Sequence, residues 1–196
     1  MKRLAFTAAV LCVAALTGCV TPVGPVQVTR FHAADISSLG KGIIAVEPAP
    51  GSDPASLEWQ TYGAAVARQL VLLGYTEAKP GSGGQVALVR LSRRTIEPPR
   101  SSPVSVGVGG STGTYGSGVG LGIGINLSPK PAAEVATDLS VSIRDRTSGA
   151  TLWEGRATFV VSSKSPLATT ALGAPKMSEA LFAGFPGQSG TTIEVK

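Results

Sequence analysis

Apolar and polar residues alternate along two neighbouring segments in the last third of the chain. The first segment is 134–146, and the second is 151–161, which places Trp153 and Phe159 on one face. A short turn containing Gly149 separates them. Alternation with a period of two is typical of strands with one buried face, and a glycine turn between two such runs predicts an antiparallel hairpin. We therefore expect Trp153 and Phe159 in the core.

Other segments carry weaker strand patterns and two helical patterns. Strands are predicted at 26–32, 42–47, 85–96 and 191–195. Because 85–96 is apolar on both faces, it is predicted to be a central strand covered on both sides. A helix is predicted over 54–73, capped by Asp53 and ended by Gly74. A second helix is predicted over 176–183.

The order of these elements indicates the fold class. Strands are grouped together and only two helices interrupt them, which favours an α+β fold over a doubly wound parallel sheet. We predict an antiparallel sheet of about five to seven strands with two helices packed on one face.

A glycine-rich segment in the middle of the chain has a different pattern. Residues 105–126 contain nine glycines, and in 119–127 apolar residues alternate with Gly120, Gly122 and Gly124. This alternation predicts a long hairpin with one apolar face and one nearly bare backbone face. Two interpretations stay open: a solvated, loosely ordered excursion, or a surface on which another backbone, helix or membrane approaches closely.

The N-terminus carries an export signal. Lys2 and Arg3 precede about a dozen apolar residues, a length that fits a secretory signal and is too short to span a membrane. The segment Leu16-Thr17-Gly18-Cys19 resembles the bacterial lipobox, and that resemblance implies cleavage before Cys19 and its acylation. The predicted organisation is a signal peptide (1–18), a lipidated tether (19–26) and one domain (27–196). Val20 does not match the inner-membrane retention signal, so we expect an outer-membrane lipoprotein that faces the periplasm.

Charge and cysteine content exclude several functions for the mature chain. After loss of Lys2 and Arg3, 15 basic residues stand against 12 acidic ones, a balance too weak to indicate nucleic-acid binding. Cys12 leaves with the signal peptide and Cys19 is predicted to be acylated. Neither thiol catalysis nor a disulfide framework is therefore expected.

Two motifs near the C-terminus carry a family resemblance. They are the tail 180–190, ALFAGFPGQSG, and the run 152–157, LWEGRA. With the lipobox and the glycine-rich stretch, they resemble a family of bacterial envelope lipoproteins defined by a shared domain of unknown function. The resemblance covers about residues 26–195. It implies an α+β envelope domain and transfers no catalytic residue.

Searches for catalytic or cofactor patterns give no candidate. His32 is the only histidine, so a zinc site lacks ligands and a serine hydrolase has only one candidate base, without a nucleophile motif. Phosphate-loop and dinucleotide-binding patterns also fail. We predict no enzyme activity, no cofactor and no metal.

The remaining candidate residues are contacts. Arg90, Arg93, Arg94 and Arg100 cluster in eleven residues. Arginine forks suit anionic lipid head groups or phosphorylated glycolipid, whereas the plainer interpretation is a solvated strand end that discourages edge pairing. Gly120, Gly122 and Gly124 are the second set, as a close-approach surface.

We therefore expect a non-enzymatic, lipid-anchored envelope protein that acts as a binding or structural module. Its expected partners are the membrane, through acylated Cys19, and another envelope protein. The alternative is a carrier or chaperone for lipid or glycolipid that uses the apolar hairpin face. A hydrolase with an unrecognised site is the least favoured interpretation.

Overall fold

The computed structural model describes residues 23–99, 104–113, 116–125 and 131–196, and for 104–113 and 116–125 it describes the backbone. The predicted signal peptide and Cys19 lie outside the described residues. Nine strands and two helices follow one another along the described chain. The strands are β1 (Val26–His32), β2 (Ile43–Pro48), β3 (Thr76–Ala78), β4 (Gln85–Ile96), β5 (Val104–Gly113), β6 (Gly116–Ile125), β7 (Glu134–Asp145), β8 (Thr151–Ser162) and β9 (Thr192–Val195). The helices are α1 (Leu57–Leu72) and α2 (Thr170–Phe182).

Seven of the strands form one sheet in the order β3-β2-β4-β7-β8-β1-β9. The predicted α+β class is confirmed, but the expectation of a purely antiparallel sheet is wrong. Strand β2 runs parallel to both β3 and β4, whereas the neighbours from β4 to β9 are antiparallel. The cause is α1, which follows β2 and returns the chain to the starting end of the sheet, so that β3 must run parallel to β2.

Both helices pack on the same side of the sheet. They contact each other, α1 contacts β2, β3 and β4, and α2 contacts β1 and β8. The core between these layers contains Trp153, Tyr62 and Phe159 together with aliphatic residues of β1, β4, β7 and β8. The predicted burial of Trp153 and Phe159 is confirmed, since both are almost wholly shielded from solvent. Burial raises the pKa of Tyr62, so its phenol stays neutral.

The opposite face of the sheet is open to solvent. Along β4, β7 and β8 most positions that alternate with the core are polar or charged, among them Arg90, Ser140 and Arg156, although Val86 and Ala136 are buried. Strand β4 lies inside the sheet, as predicted, and its first residues are shielded on both faces. The expectation that all of 85–96 is covered on both faces is wrong from Arg90 onward. Its apolar run is short, and from Arg90 onward every second residue is exposed.

The helix boundaries differ from the predicted ones at their starts. Helix α1 begins at Leu57, and the Ser56 hydroxyl, rather than Asp53, caps it by accepting from the Trp59 N–H at 3.3 Å. Asp53 instead accepts from the Ala55 N–H in the turn before it. Gly74 ends the helix in the left-handed conformation, with φ of 103°, as predicted. Helix α2 begins six residues before the predicted start at Lys176, at Thr170, and accommodates Pro175.

Strands β5 and β6 form a separate two-stranded antiparallel sheet. Residues 114–115 between them and the flanking residues 100–103 and 126–130 lie outside the described residues. Their register pairs Val106 with Ile123 and Gly107 with Gly122.

Candidate functional site

An open groove lies where β2 ends and β4 continues. Strand β2 pairs with β4 up to the pair Pro48 and Val89. Strand β4 goes on for seven more residues, Arg90–Ile96, paired with β7 on its other side only. Among the described residues, no strand occupies the lane next to this segment, which we call the β4 edge.

The sequence after β2 explains why the lane is empty. Pro48 and Pro50 lack the N–H that a strand needs, and Gly51 turns the chain with a φ of 84°. Asp53 and Ser56 then stabilise the turn and the start of α1 through their backbone bonds. The chain therefore leaves the sheet plane and enters the helical layer instead of extending β2.

Val89 marks the last position at which the lane is filled. Its carbonyl accepts from the Ala49 N–H at 2.9 Å and from the Trp59 indole Nε1 at 3.1 Å. Because backbone groups alternate in direction along a strand, Leu91, Arg93 and Thr95 direct their N–H and C=O groups to the same side as Val89. No backbone partner for these three residues occurs on that side in the described part of the chain.

A cleft of about 340 Å³ runs along the start of the β4 edge. One wall is formed by the loop after β2 and the first turn of α1, and the other by the edge itself. The lining residues are Gly51, Ser52, Asp53, Ser56, Glu58, Trp59, Arg90, Leu91, Ser92 and Arg93. Free backbone groups, an indole and both signs of charge therefore meet in one groove.

The three predicted contact arginines do not form one surface. Arg93 lies on the helical side, where its guanidinium bonds Glu58, the Ala168 carbonyl and, at 3.1 Å, the Thr170 hydroxyl. It thereby joins β4 to the starts of α1 and α2. Arg93 is thus committed to holding the fold, and the alternation of the strand separates it from its two neighbours.

Arg90 and Arg94 lie on the open face of the sheet. Arg94 pairs with Asp138 on β7 at 2.9 Å, and Asp138 also accepts from the Thr158 hydroxyl at 2.8 Å. Arg90 donates to the Pro50 carbonyl at 3.0 Å and borders both the groove and a smaller cleft of about 150 Å³ that also contains Ser140 and Arg144. Of the three, Arg90 is the one best placed to meet a ligand.

The family-like motifs at residues 152–157 and 180–190 lie together and are structural. Trp153 stacks on Phe182 with ring centroids 5.3 Å apart, and its indole donates to the Pro186 carbonyl at 2.9 Å. Only glycine fits beside them at position 155, because a Cβ there would lie 2.9 Å from a Leu181 methyl group. We call this group, with Arg30, the tail cluster.

Arg30 completes the tail cluster from β1. Its guanidinium donates to the Leu181 and Ala180 carbonyls at 2.9 and 3.0 Å, at the C-terminal end of α2. Burial lowers the pKa of Arg30, while these two carbonyls supply the acceptors that a buried cation requires. The sequence motifs therefore hold β1, β8 and α2 together, and the polar side chains of the tail cluster named here are hydrogen-bonded within the fold.

His32, the one candidate base, contacts the backbone in the part of the chain that the structure describes. The ring Nδ1 of His32 lies 2.8 Å from the Ala33 carbonyl. Within the described ranges, His, Cys, Asp and Glu form no group that would hold a metal ion. No helix there is long and apolar enough to cross a membrane. The predicted acylation of Cys19 and the predicted surface at Gly120, Gly122 and Gly124 stay predictions, the latter because that stretch is described by its backbone.

Comparison with known proteins finds an uncharacterized relative and solved structures that are only distantly similar in fold. No family model matches the chain. An uncharacterized protein of Zymomonas mobilis is 28% identical over an alignment of 215 positions, covering 88% of this chain and 80% of that protein. A PDZ domain protein from Parabacteroides distasonis superposes with a TM-score of 0.47 at 10% identity, over 96% of this chain and 42% of that one. The PelC dodecamer from Paraburkholderia phytofirmans gives a TM-score of 0.40 at 16% identity, over 80% and 96%.

Proposed function

We propose that this chain is a lipid-anchored protein of the bacterial envelope that binds an extended segment of another polypeptide at the β4 edge, without catalysis. The observation that most directly supports peptide binding is the run of backbone groups at Leu91, Arg93 and Thr95, which lie beside a groove and have no partner in that lane among the described residues. Strand addition to a free sheet edge uses main-chain hydrogen bonds for affinity and neighbouring pockets for specificity.

The groove offers both of those elements. Trp59 supplies an apolar surface at its start, and its indole N–H is already committed to Val89, so the ring is held in place. Arg90 and Asp53 flank the lane with opposite charges. Because a strand in this lane would extend the sheet in the place that β2 vacates, it needs no rearrangement of the core.

Charge is the protection that this edge has against such pairing, with Arg93 pointing inward and Arg90 and Arg94 outward, and other common devices are missing. Natural sheets discourage edge pairing with short strands, prolines, bulges or inward-pointing charges. The β4 edge is seven residues long and contains no proline, and its register with β7 is regular to Ile96. The opposite end of the sheet differs, because β9 has only four residues.

Lipid carriage, the alternative that the sequence suggested, gains no support from these clefts. The larger cleft is bordered by polar and apolar surface in nearly equal parts, and the smaller one is mainly polar. A lipid or glycolipid carrier needs an apolar cavity that shields acyl chains from water.

The test of strand addition removes a single N–H. Peptides are selected from a random displayed library on the chain from residue 19 with Cys19→Ser. Thr95→Pro removes an edge-facing donor, and Thr95→Ala is the matched control that keeps it. We expect selected peptides to bind wild type and Thr95→Ala and to bind Thr95→Pro about tenfold or more weakly.

Amide hydrogen exchange locates the bound peptide. We expect binding to slow exchange at Leu91, Arg93 and Thr95 and to leave Ser92, whose amide faces β7, unchanged. Equal binding to the proline variant, or protection confined to another surface, contradicts strand addition.

The anchor has its own test. Cys19→Ser is expected to abolish incorporation of labelled fatty acid and to release the exported protein from membranes, because two or more acyl chains are needed for stable attachment. A wild-type protein that takes up no fatty acid, with a variant that still sediments with membranes, contradicts the lipid anchor.

A further inference from the structure

We infer that the strand pair β5–β6 lies on the membrane that holds the anchor, with its apolar face in the lipid. This inference rests on the proposed acylation of Cys19. The first observation is the register. It pairs Val104 with Ile125, Val106 with Ile123 and Val108 with Leu121. Residues directly opposite one another in an antiparallel pair share a face, so apolar positions of both strands combine on one surface.

The other surface of the strand pair consists of small positions. Ser105 pairs with Gly124, Gly107 with Gly122 and Gly109 with Gly120. From 101 to 129 the sequence contains no charged residue, and Arg100 and Lys130 bound this interval. The strand pair is thus amphipathic, with apolar positions on one face and glycine and serine positions on the other. It carries no charge that would oppose contact with lipid.

The fold places this pair at the end of the sheet where the tether enters. Strand β4 ends at Ile96 directly opposite Glu134, the first residue of β7, so the intervening segment leaves and returns at one end. Strand β1 begins at that same end, because Gln27 pairs with Thr158 near the end of β8. Six residues separate Cys19 from Val26, so the seven steps between their Cα atoms span at most about 25 Å.

A two-stranded sheet alone is marginally stable in water and needs a surface to cover its apolar face. In the described chain, β5 and β6 contact each other extensively and do not pack extensively on another element. A membrane that is held within reach of the tether supplies the missing surface. Among the described strands none pairs with the outer edges of β5 and β6. The pair would therefore lie flat in the interface, where water and head groups satisfy the backbone groups of those edges.

The test uses a fluorophore that reports lipid contact position by position. In the chain from residue 19 with Cys19→Ser, each introduced cysteine is the only thiol. The apolar face receives Val106→Cys or Leu121→Cys, and the opposite face receives Ser105→Cys or Ser111→Cys. An environment-sensitive dye on each is measured with and without vesicles of equal parts phosphatidylethanolamine and phosphatidylglycerol.

We expect emission at Val106 and Leu121 to rise about twofold or more with vesicles, and emission at both serine positions to stay unchanged. A second measurement uses no label: Leu121→Ser is expected to weaken vesicle binding about tenfold, while Ile193→Ser, an exposed apolar position on β9, leaves it unchanged.

Three outcomes overturn the inference. The first is no change at any position, and the second is an equal change on both faces. The third is a protein that sediments as a dimer and in which the dye at the apolar positions is already shielded before vesicles are added. That result assigns the apolar face to a second copy of the chain. Because every variant lacks the acylated cysteine, these results do not depend on the anchor, whose failure is seen separately in fatty acid labelling.

Discussion

The tail cluster and the groove beside the β4 edge both contain arginine, tryptophan and glycine, yet one is closed and the other is open. In the tail cluster, Arg30 and Trp153 donate to carbonyls at the end of α2 and just beyond it. At the β4 edge, Trp59 donates to the last paired carbonyl, Val89, and the strand continues without a neighbour. A recognisable sequence motif can thus mark polar groups that are all hydrogen-bonded within the fold. Backbone groups that are free to bind a partner leave no motif in the sequence.

The largest expected effect comes from the two tryptophans. Trp153→Ala is expected to lower the free energy of unfolding by about 3–5 kcal/mol, because it empties a fully buried site and removes the stacking on Phe182. Trp59→Ala is expected to cost clearly less, since that ring is only partly buried. Urea denaturation followed by circular dichroism measures both. Equal losses of unfolding free energy would mean that Trp59 is packed as fully as Trp153, so that the groove beside the β4 edge is as closed as the tail cluster.

Proline at neighbouring positions of β4 tests which side of the strand is free. Ser92→Pro is expected to destabilise by about 3 kcal/mol, because it removes a ladder bond to β7 and distorts an interior pairing. Thr95→Pro is expected to change stability by less than about 1 kcal/mol, because its N–H faces the empty lane. Thermal melting of both variants measures the two losses of stability. A lower melting temperature for Thr95→Pro than for Ser92→Pro would contradict the open edge.

Glycine substitution tests how tightly the tail cluster is packed. Gly155→Ala is expected to cost about 1–3 kcal/mol, because its Cβ would lie 2.8 Å from the Trp153 ring carbon Cζ2 and 2.9 Å from Leu181. Gly84→Ala is the matched control, since nothing lies within 4 Å of its Cβ position. A chemical denaturation midpoint that moves equally in both variants would show that the cluster tolerates an added methyl group.

The smallest expected effect is a pH dependence at the β2 side of the sheet. Burial opposes the ionisation of Glu47, but hydrogen bonds from the Gly81 N–H and from Arg146 outweigh it, so the pKa of Glu47 lies below its usual value. The stability that this provides is present above about pH 4.5 and is lost as pH falls through the lowered pKa. Glu47→Gln is expected to flatten the acid limb of the melting temperature between about pH 3 and 5. An unchanged acid limb would show that the Glu47 bonds do not contribute.

Local patterns were sufficient to predict most of the elements. Alternation determined β7 and β8 and the burial of Trp153 and Phe159, because a strand with one buried face must repeat every two residues. Gly74 determined where α1 ends, since it alone adopts the required left-handed conformation at no cost. The three-residue β3 gave no pattern, because so short a strand shows no period.

Only the tertiary structure decided which strands are neighbours and which groups remain free. The parallel pairing of β2, the separation of Arg93 from Arg90 and Arg94, and the end of β2 opposite Val89 all depend on contacts between residues distant in the chain. The sequence determined the amphipathic strands, the C-terminal end of α1 at Gly74 and the candidate anchor at Cys19, since each follows from neighbouring residues. An empty lane beside a strand is a property of two segments together, so no pattern within either segment predicts it.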